Sequence, residues 1–350
     1  MTVEQITDYL SEHITDPVPK FILIKEIFKT APSSLEYVSA YNDIKQSEWY
    51  RDLANEQQEN GAWGPFHGGF VTQMKGKKFS CTEAALRRAR ELSLSKDDPV
   101  VARCIRYMER LLRGEEQSPD RVEIHRDGGK NAYLCGFYGL SANINMFDPE
   151  NPEIAPYKRN AIDNIRLAFA CGGFDEDIWG QALREYRVPT LVSPGCAFSL
   201  MLMREEGYME DTLQRLYLAY HWDRKAAVIK ANHVSTYEHI PAAISYMSKF
   251  PPADKKRLED KDFTIWLSLL ELLSGFSLFG EFIKDDTFEY LLNEADRMVL
   301  GEVILPDPPG GHANTCNHAV NGRYAESWRV KHKRKTDMVL RIARILAKCS

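Results

Sequence analysis

Three groups of residues in this chain have the types and the spacing that chemistry needs. The first is Asp175-Glu176-Asp177, followed by Ile178 and preceded by Gly172-Gly173-Phe174. Carboxyls this close, with one kept protonated in apolar, water-poor surroundings, could deliver a proton to a substrate. The same acids in the first turn of a helix running towards Gln181 would simply complement its dipole and free N–H groups. The second is His312-Ala313-Asn314-Thr315-Cys316-Asn317-His318, in which His312, Cys316 and His318 are three zinc-type ligands without a clear fourth. Loop residues of this kind also serve by bonding to backbone. The third is His233 and His239 with Tyr237 between them. Together with His67 and His221 they could gather at one rim of the fold, where imidazoles bind a diphosphate or act as a base. Singly, each reads as a half-buried, hydrogen-bonded histidine. Arg126-Asp127-Gly128-Gly129-Lys130 could turn backbone amides towards an anion, but it lacks P-loop spacing and reads as a turn before a helix. No G-x-G-x-x-G, G-x-S-x-G or H-E-x-x-H occurs.

Helices have to position these groups, because strand signals are sparse and helix starts recur. Ser33 with Glu36 and Ser80 with Glu83 fit a hydroxyl cap answered by Glu three residues on, and Asp98-Pro99 offers an acidic cap with Pro at the first helical position. The spacing predicts outer helices over 47–58, 99–113, 156–170, 209–220 and 287–298. Inner helices should begin near residues 80, 130, 192, 235 and 262. Turn signals recur at roughly 50–60 residues, the length of two helices and two loops. Paired helices cannot bury their apolar faces alone, so they must stack into a solenoid or close into a ring.

Bulk properties narrow the function. Of 350 residues, 44% are hydrophobic and 27% charged, enough for a large core. A net charge of −5 leaves no footprint for nucleic acid. The basic run Arg329, Lys331, Lys333, Arg334 and Lys335 reads as the solvated approach to a helix. Seven cysteines without a CxxC suggest reduced thiols in a cytoplasm, and MTVEQITDYLSEH has no apolar core of a signal peptide. The apolar stretch 263–283 contains Glu271 and Glu281, so a buried helix is expected there and no membrane span, peripheral membrane contact aside.

The segment WYRDLANEQQENGAWG, with Trp49, Gln57 or Gln58, Gly61 and Trp63, resembles the QW repeat of squalene-hopene and oxidosqualene cyclases. Gly68-Gly69-Phe70, then FSCTEAALRRA from Phe79, resembles the loop-to-inner-helix step of the same superfamily. RYAESWR and the helix after it resemble small bacterial squalene-cyclase-like proteins. The resemblance implies an all-α fold over 1–350, a single α/α toroid of about six inner and about six outer helices around a central cavity. Residues 1–46 would be an N-terminal helical extension packed on it. In that family the Gln caps helix ends and the Trp stacks on it. Its acid is the middle residue of Asp-x-Asp-Asp, which would make Asp177 the acid and Asp175 its partner; Ile178 departs from the pattern. The cyclases carry two such domains where this chain has room for one.

Carbocation chemistry also needs aromatic faces. Trp63, His67, Tyr133, Phe137, Trp222 and Tyr237 are the expected cavity and substrate-binding residues, with His233 and His239 beside the acids as catalytic candidates. The related prenyltransferase β subunits hold zinc with Asp-x-Cys and a distant His, whereas Asn314-Thr315-Cys316 lacks the Asp. The resulting expectation is a squalene-cyclase-like protein whose apolar cavity holds an isoprenoid or lipid for acid-initiated, class II type cyclisation, without a cofactor. The alternatives are a non-catalytic toroid that binds a lipid or peptide, and a zinc-dependent transferase or hydrolase.

Overall fold

A computed structural model describes residues 1–66, 77–79, 81–116, 130–174, 197–204, 207–222, 252–259, 263–283, 286–302 and 331–349. Every regular element among them is helical. The N-terminal part holds α1 (Val3–His13), α2 (Pro17–Ile22) running into a π-helical turn (Leu23–Ile27), α3 (Leu35–Lys45) and α4 (Glu48–Glu56). Then come α5 (Thr82–Glu91), α6 (Pro99–Leu112), α7 (Lys130–Asn145), α8 (Ala155–Ala168) and α9 (Ala197–Met203). The C-terminal part holds α10 (Asp211–Trp222), α11 (Phe263–Leu273), α12 (Phe279–Ile283), α13 (Thr287–Leu300) and α14 (Lys331–Leu346). The five expected outer helices match α4, α6, α8, α10 and α13 to within two residues at each end, and α7 and α11 begin where inner helices were expected. The expected starts near 192 and 235 lie outside the described residues.

Local chemistry explains several of these starts. Thr2 and Gln5 exchange bonds in a capping box at α1, Oγ1 accepting from Gln5 N and Thr2 N donating to Oε1. Asp98 accepts from Val100 N at 3.1 Å while Pro99 loses no needed donor. At α3 the cap is Ser34 and not Ser33, because Ser34 Oγ is the hydroxyl that meets Tyr37 N, at 3.1 Å. Ser80 lies outside the described residues, and Cys81 starts α5 without a side-chain cap. Gly301 ends α13 with φ of 77°, left-handed backbone that glycine adopts without strain.

The helices touch in a definite order. α6 lies against α7, α7 against α8 and α9, α9 against α8 and α11, and α11 against α14. α14 meets α13, α1 and the π-helical turn, while α2 meets α3, α3 meets α4 and α4 meets α5. α1 and the π-helical turn are therefore built into the joint with the C-terminal helices. Arg344 pairs with Glu26, Lys333 with Asp16, and the Met1 amino group lies 3.6 Å from Asp296. Of the basic run, Lys333, Arg334 and Lys335 belong to this joint and not to a solvated approach, while Arg329 and the side chain of Lys331 lie outside the described residues. Arg334 is buried, and Lys335 Nζ donates to Val299 O at 2.9 Å over the ring of Tyr9. Long aliphatic stems let such cations lie along apolar surface while the heads find acceptors. α11 is buried, and no described helix is long and apolar enough to cross a membrane.

Candidate functional site

TEAALRRARE, the sequence of α5, has the composition of a surface helix. Yet Thr82, Glu83, Ala84, Ala85, Leu86, Arg87, Arg88, Ala89 and Glu91 are all buried. Charge at that depth is costly without partners. Thr82 anchors the helix start: its Oγ1 accepts from Trp63 N and donates to Gly64 O, both at 3.1 Å. Arg88 Nη1 meets Glu91 Oε2 at 2.6 Å, and its guanidinium lies 4.1 Å from the centre of the Trp49 ring. Burial pushes the Glu91 carboxyl up, against the charges of Arg88, Arg87 and Arg341.

A ladder of alternating charge joins the π-helical turn, α14 and α11. Arg341, with no exposed surface, donates from Nε and Nη2 to the two oxygens of Glu271 at 2.9 and 2.7 Å, and from Nη2 to Ser268 Oγ at 2.8 Å. Arg344 holds both oxygens of Glu26 at 2.8 and 3.0 Å and comes within 4.0 Å of Glu271. Bidentate pairs of this kind fix geometry as well as charge. Burial alone would raise the Glu26 carboxyl, but the charge and hydrogen bond of Arg344, then Lys25 and Lys348, outweigh it and hold it below the usual value.

Arg90 and Arg204 stand apart from that pairing. Both are enclosed by protein and both keep some accessible surface. Arg90 Nη1 lies 4.0 Å from Met201 Sδ, and Arg204 Nη1 lies 3.7 Å from Met146 Sδ. The Arg204 guanidinium also lies against Gly275, where any Cβ would collide with it. Among the described residues no carboxylate comes within ion-pair distance of either. Burial, then the charge of Arg87, lowers Arg90 to about 10; Glu83 and Glu91 oppose the fall and Arg204 adds to it. Burial also lowers Arg204 and Arg344 lowers it further, while Glu26 and Glu271 oppose the fall from beyond ion-pair distance.

The residues singled out in the sequence fall elsewhere. Asp175, Asp177, His67, His233, Tyr237, His239, His312, Cys316 and His318 lie outside the described residues, as does the side chain of Tyr133. Trp63 is buried, its indole N–H donating to Leu53 O at 2.9 Å where α4 ends. Phe137 lies 6.1 Å from Tyr157 between α7 and α8, and Trp222 lies 6.1 Å from Phe279 between α10 and α12. These three rings thus sit at three different helix joints. His221 is fully buried, edge-on to Tyr217 and Tyr220 at 4.6 and 5.1 Å. No three His, Cys, Asp or Glu among the described residues are grouped to hold a metal.

Gln57 does what a joining residue must. Its amide donates to Gly61 O at 2.9 Å and to Val100 O at 2.8 Å, and its Oε1 accepts from Arg103 Nε at 2.8 Å. It thereby ties the end of α4 to the first turns of α6. The arginine network escaped the sequence reading altogether. Its only signal was charge pairing at helical spacing, Glu83 with Arg87 and Arg88 with Glu91, which an exposed helix shows equally well. No family model, curated protein or solved structure matches the chain.

Proposed function

We propose that this chain is a ring of paired helices whose centre holds an apolar, isoprenoid- or lipid-like ligand. The observation that carries the reading is the order of the helix contacts. α4 is tied through Gln57 to α6, and contacts then run through α7, α9, α11 and α14 to the π-helical turn. From there α2 leads to α3 and α3 back to α4, so the circuit returns to its start as a toroid does. Within it, Arg90 on α5 reaches Met201 on α9, and Arg204 lies beside Gly275 just beyond α11. Polarizable, unbranched methionines at 146 and 201 suit a wall that has to fit an irregular apolar chain.

The tie of Gln57 and Trp63 at the end of α4 supports a second reading, acid-initiated cyclisation of the class II type. In it Asp177 gives the proton, Asp175 orients it, and His233 or His239 recovers one at the end. Incubation with farnesyl and geranylgeranyl diphosphate and with squalene tests both. Native mass spectrometry reads retention, and analysis of organic extracts reads turnover. Retention of none of the three would sink the ring-and-ligand reading. Retention without a new cyclic product, a hydrocarbon from squalene or a cyclic diphosphate read after phosphatase treatment, would leave a binding protein and end the cyclisation reading, with Asp177→Asn as the inactive control.

A further inference from the structure

We infer that Arg90 and Arg204 form a binding site for an oxyanion, the head of a ligand whose apolar chain runs along Met146 and Met201. Three observations converge. The two guanidiniums come from different parts of the fold, the last turn of α5 and the residue after α9. Each is deeply enclosed but not sealed, and its described contact is a thioether sulfur, which gives a cation little. Three other arginines nearby, Arg88, Arg341 and Arg344, each hold a carboxylate directly. A buried cation without an anion is expensive, and a guanidinium fork matches carboxylate and phosphate oxygens two at a time. Gly275 belongs to the same construction: with no Cβ it leaves the space that the Arg204 head occupies.

Their chemistry is shared by a carboxylate and a phosphate ester, and the apolar wall distinguishes an amphipathic ligand from a free ion. The inference rests on the ring reading for the ligand's chain; the oxyanion contact stands on the two arginines alone. Arg90→Met and Arg204→Met test it, because methionine keeps the length and the apolar stem while removing the charge. If the arginines exist to hold an anion, the ligand-free variants should melt at a higher temperature than the wild type. If they are structural supports, the variants should melt lower, and that result overturns the proposal.

Dodecyl phosphate, dodecanoate, dodecanol and inorganic phosphate are then compared by thermal shift and calorimetry on the full chain. Dodecyl phosphate or dodecanoate should raise the wild-type Tm, and each variant should bind it about tenfold more weakly or worse. Arg113→Gln, on the surface, should bind as the wild type does. Dodecanol binding as tightly as the two anions would overturn the oxyanion site and leave the ring reading standing. Inorganic phosphate matching dodecyl phosphate would keep the oxyanion site and remove its apolar chain, which counts against the ring's ligand. No stabilisation by any oxyanion would end the inference.

Discussion

At Arg341 a guanidinium with no exposed surface depends on Glu271 and Ser268 for every described hydrogen bond but a long one to Thr264 O. Such a pair is worth little against an apolar pair of equal volume, but removing one member strands the other. Glu271→Gln is therefore expected to cost about 2–3 kcal/mol in urea unfolding, the lower end because Glu271 keeps some exposure. Glu26 adds a dependence on pH. Its carboxyl titrates below the ordinary value, so folding gains from it above that value and loses the gain as pH falls through the lowered one. Glu26→Gln should flatten the fall of the urea midpoint between about pH 5 and pH 3; an unchanged slope would place the acid sensitivity elsewhere. Tyr50 is pushed up to about 12 by burial first and by the charge of Asp98 second. Asp98→Asn removes the Asp98 charge and the hydrogen bond to its carboxylate, and leaves burial in place. Ultraviolet titration should then find Tyr50 ionising at lower pH than in the wild type but still above an ordinary tyrosine.

Between elements, the joint of α4 and α6 shows how one amide sets the angle of two helices. Gln57 spends both N–H groups on carbonyls, one at Gly61 and one at Val100, and takes the Arg103 guanidinium on its oxygen. Gly61 is locked to the same place: φ is 99°, and a Cβ there would strike the Arg103 carbonyl. Gln57→Ala should cost about 2 kcal/mol and Gly61→Ala more than about 1 kcal/mol. Because both act on the same contact with α6, the double variant should lose less than the sum in a denaturation cycle. Full additivity would mean that the two residues act independently.

For the whole molecule, the telling feature is that the two ends of the chain are one joint. Ile6, Leu10 and Phe21 are buried from the N-terminal side, and Val339, Ile342 and Ile345 from α14. Residues 1–46 contribute buried side chains to the core. Deletion of residues 1–27 should leave α14 with a bare apolar face and the Arg344 and Lys333 heads without Glu26 and Asp16. The truncated chain is expected to aggregate, or to melt well below the full chain in circular dichroism. A truncated protein with unchanged Tm would show that the segment is an appendage.

Helix positions were legible in the sequence because capping, apolar spacing and turn residues act within a few positions of one another. Asp98-Pro99 and the Gln57–Trp63 segment say where helices begin and end without reference to anything distant. The candidate site was not legible, for a physical reason that α5 makes plain. Glu83, Arg87, Arg88 and Glu91 stand at intervals that stabilise a helix in water, and the same intervals serve a helix surrounded by protein. Which of the two holds depends on what stands around it: Trp49 from α4, Met201 from α9, and Arg341 from α14, far apart along the chain. Local residue types thus determined the helices, and tertiary structure alone decided that the most highly charged of the short ones belongs inside. Burial, and with it the cost of an unneutralised charge, is a property of neighbours and not of sequence.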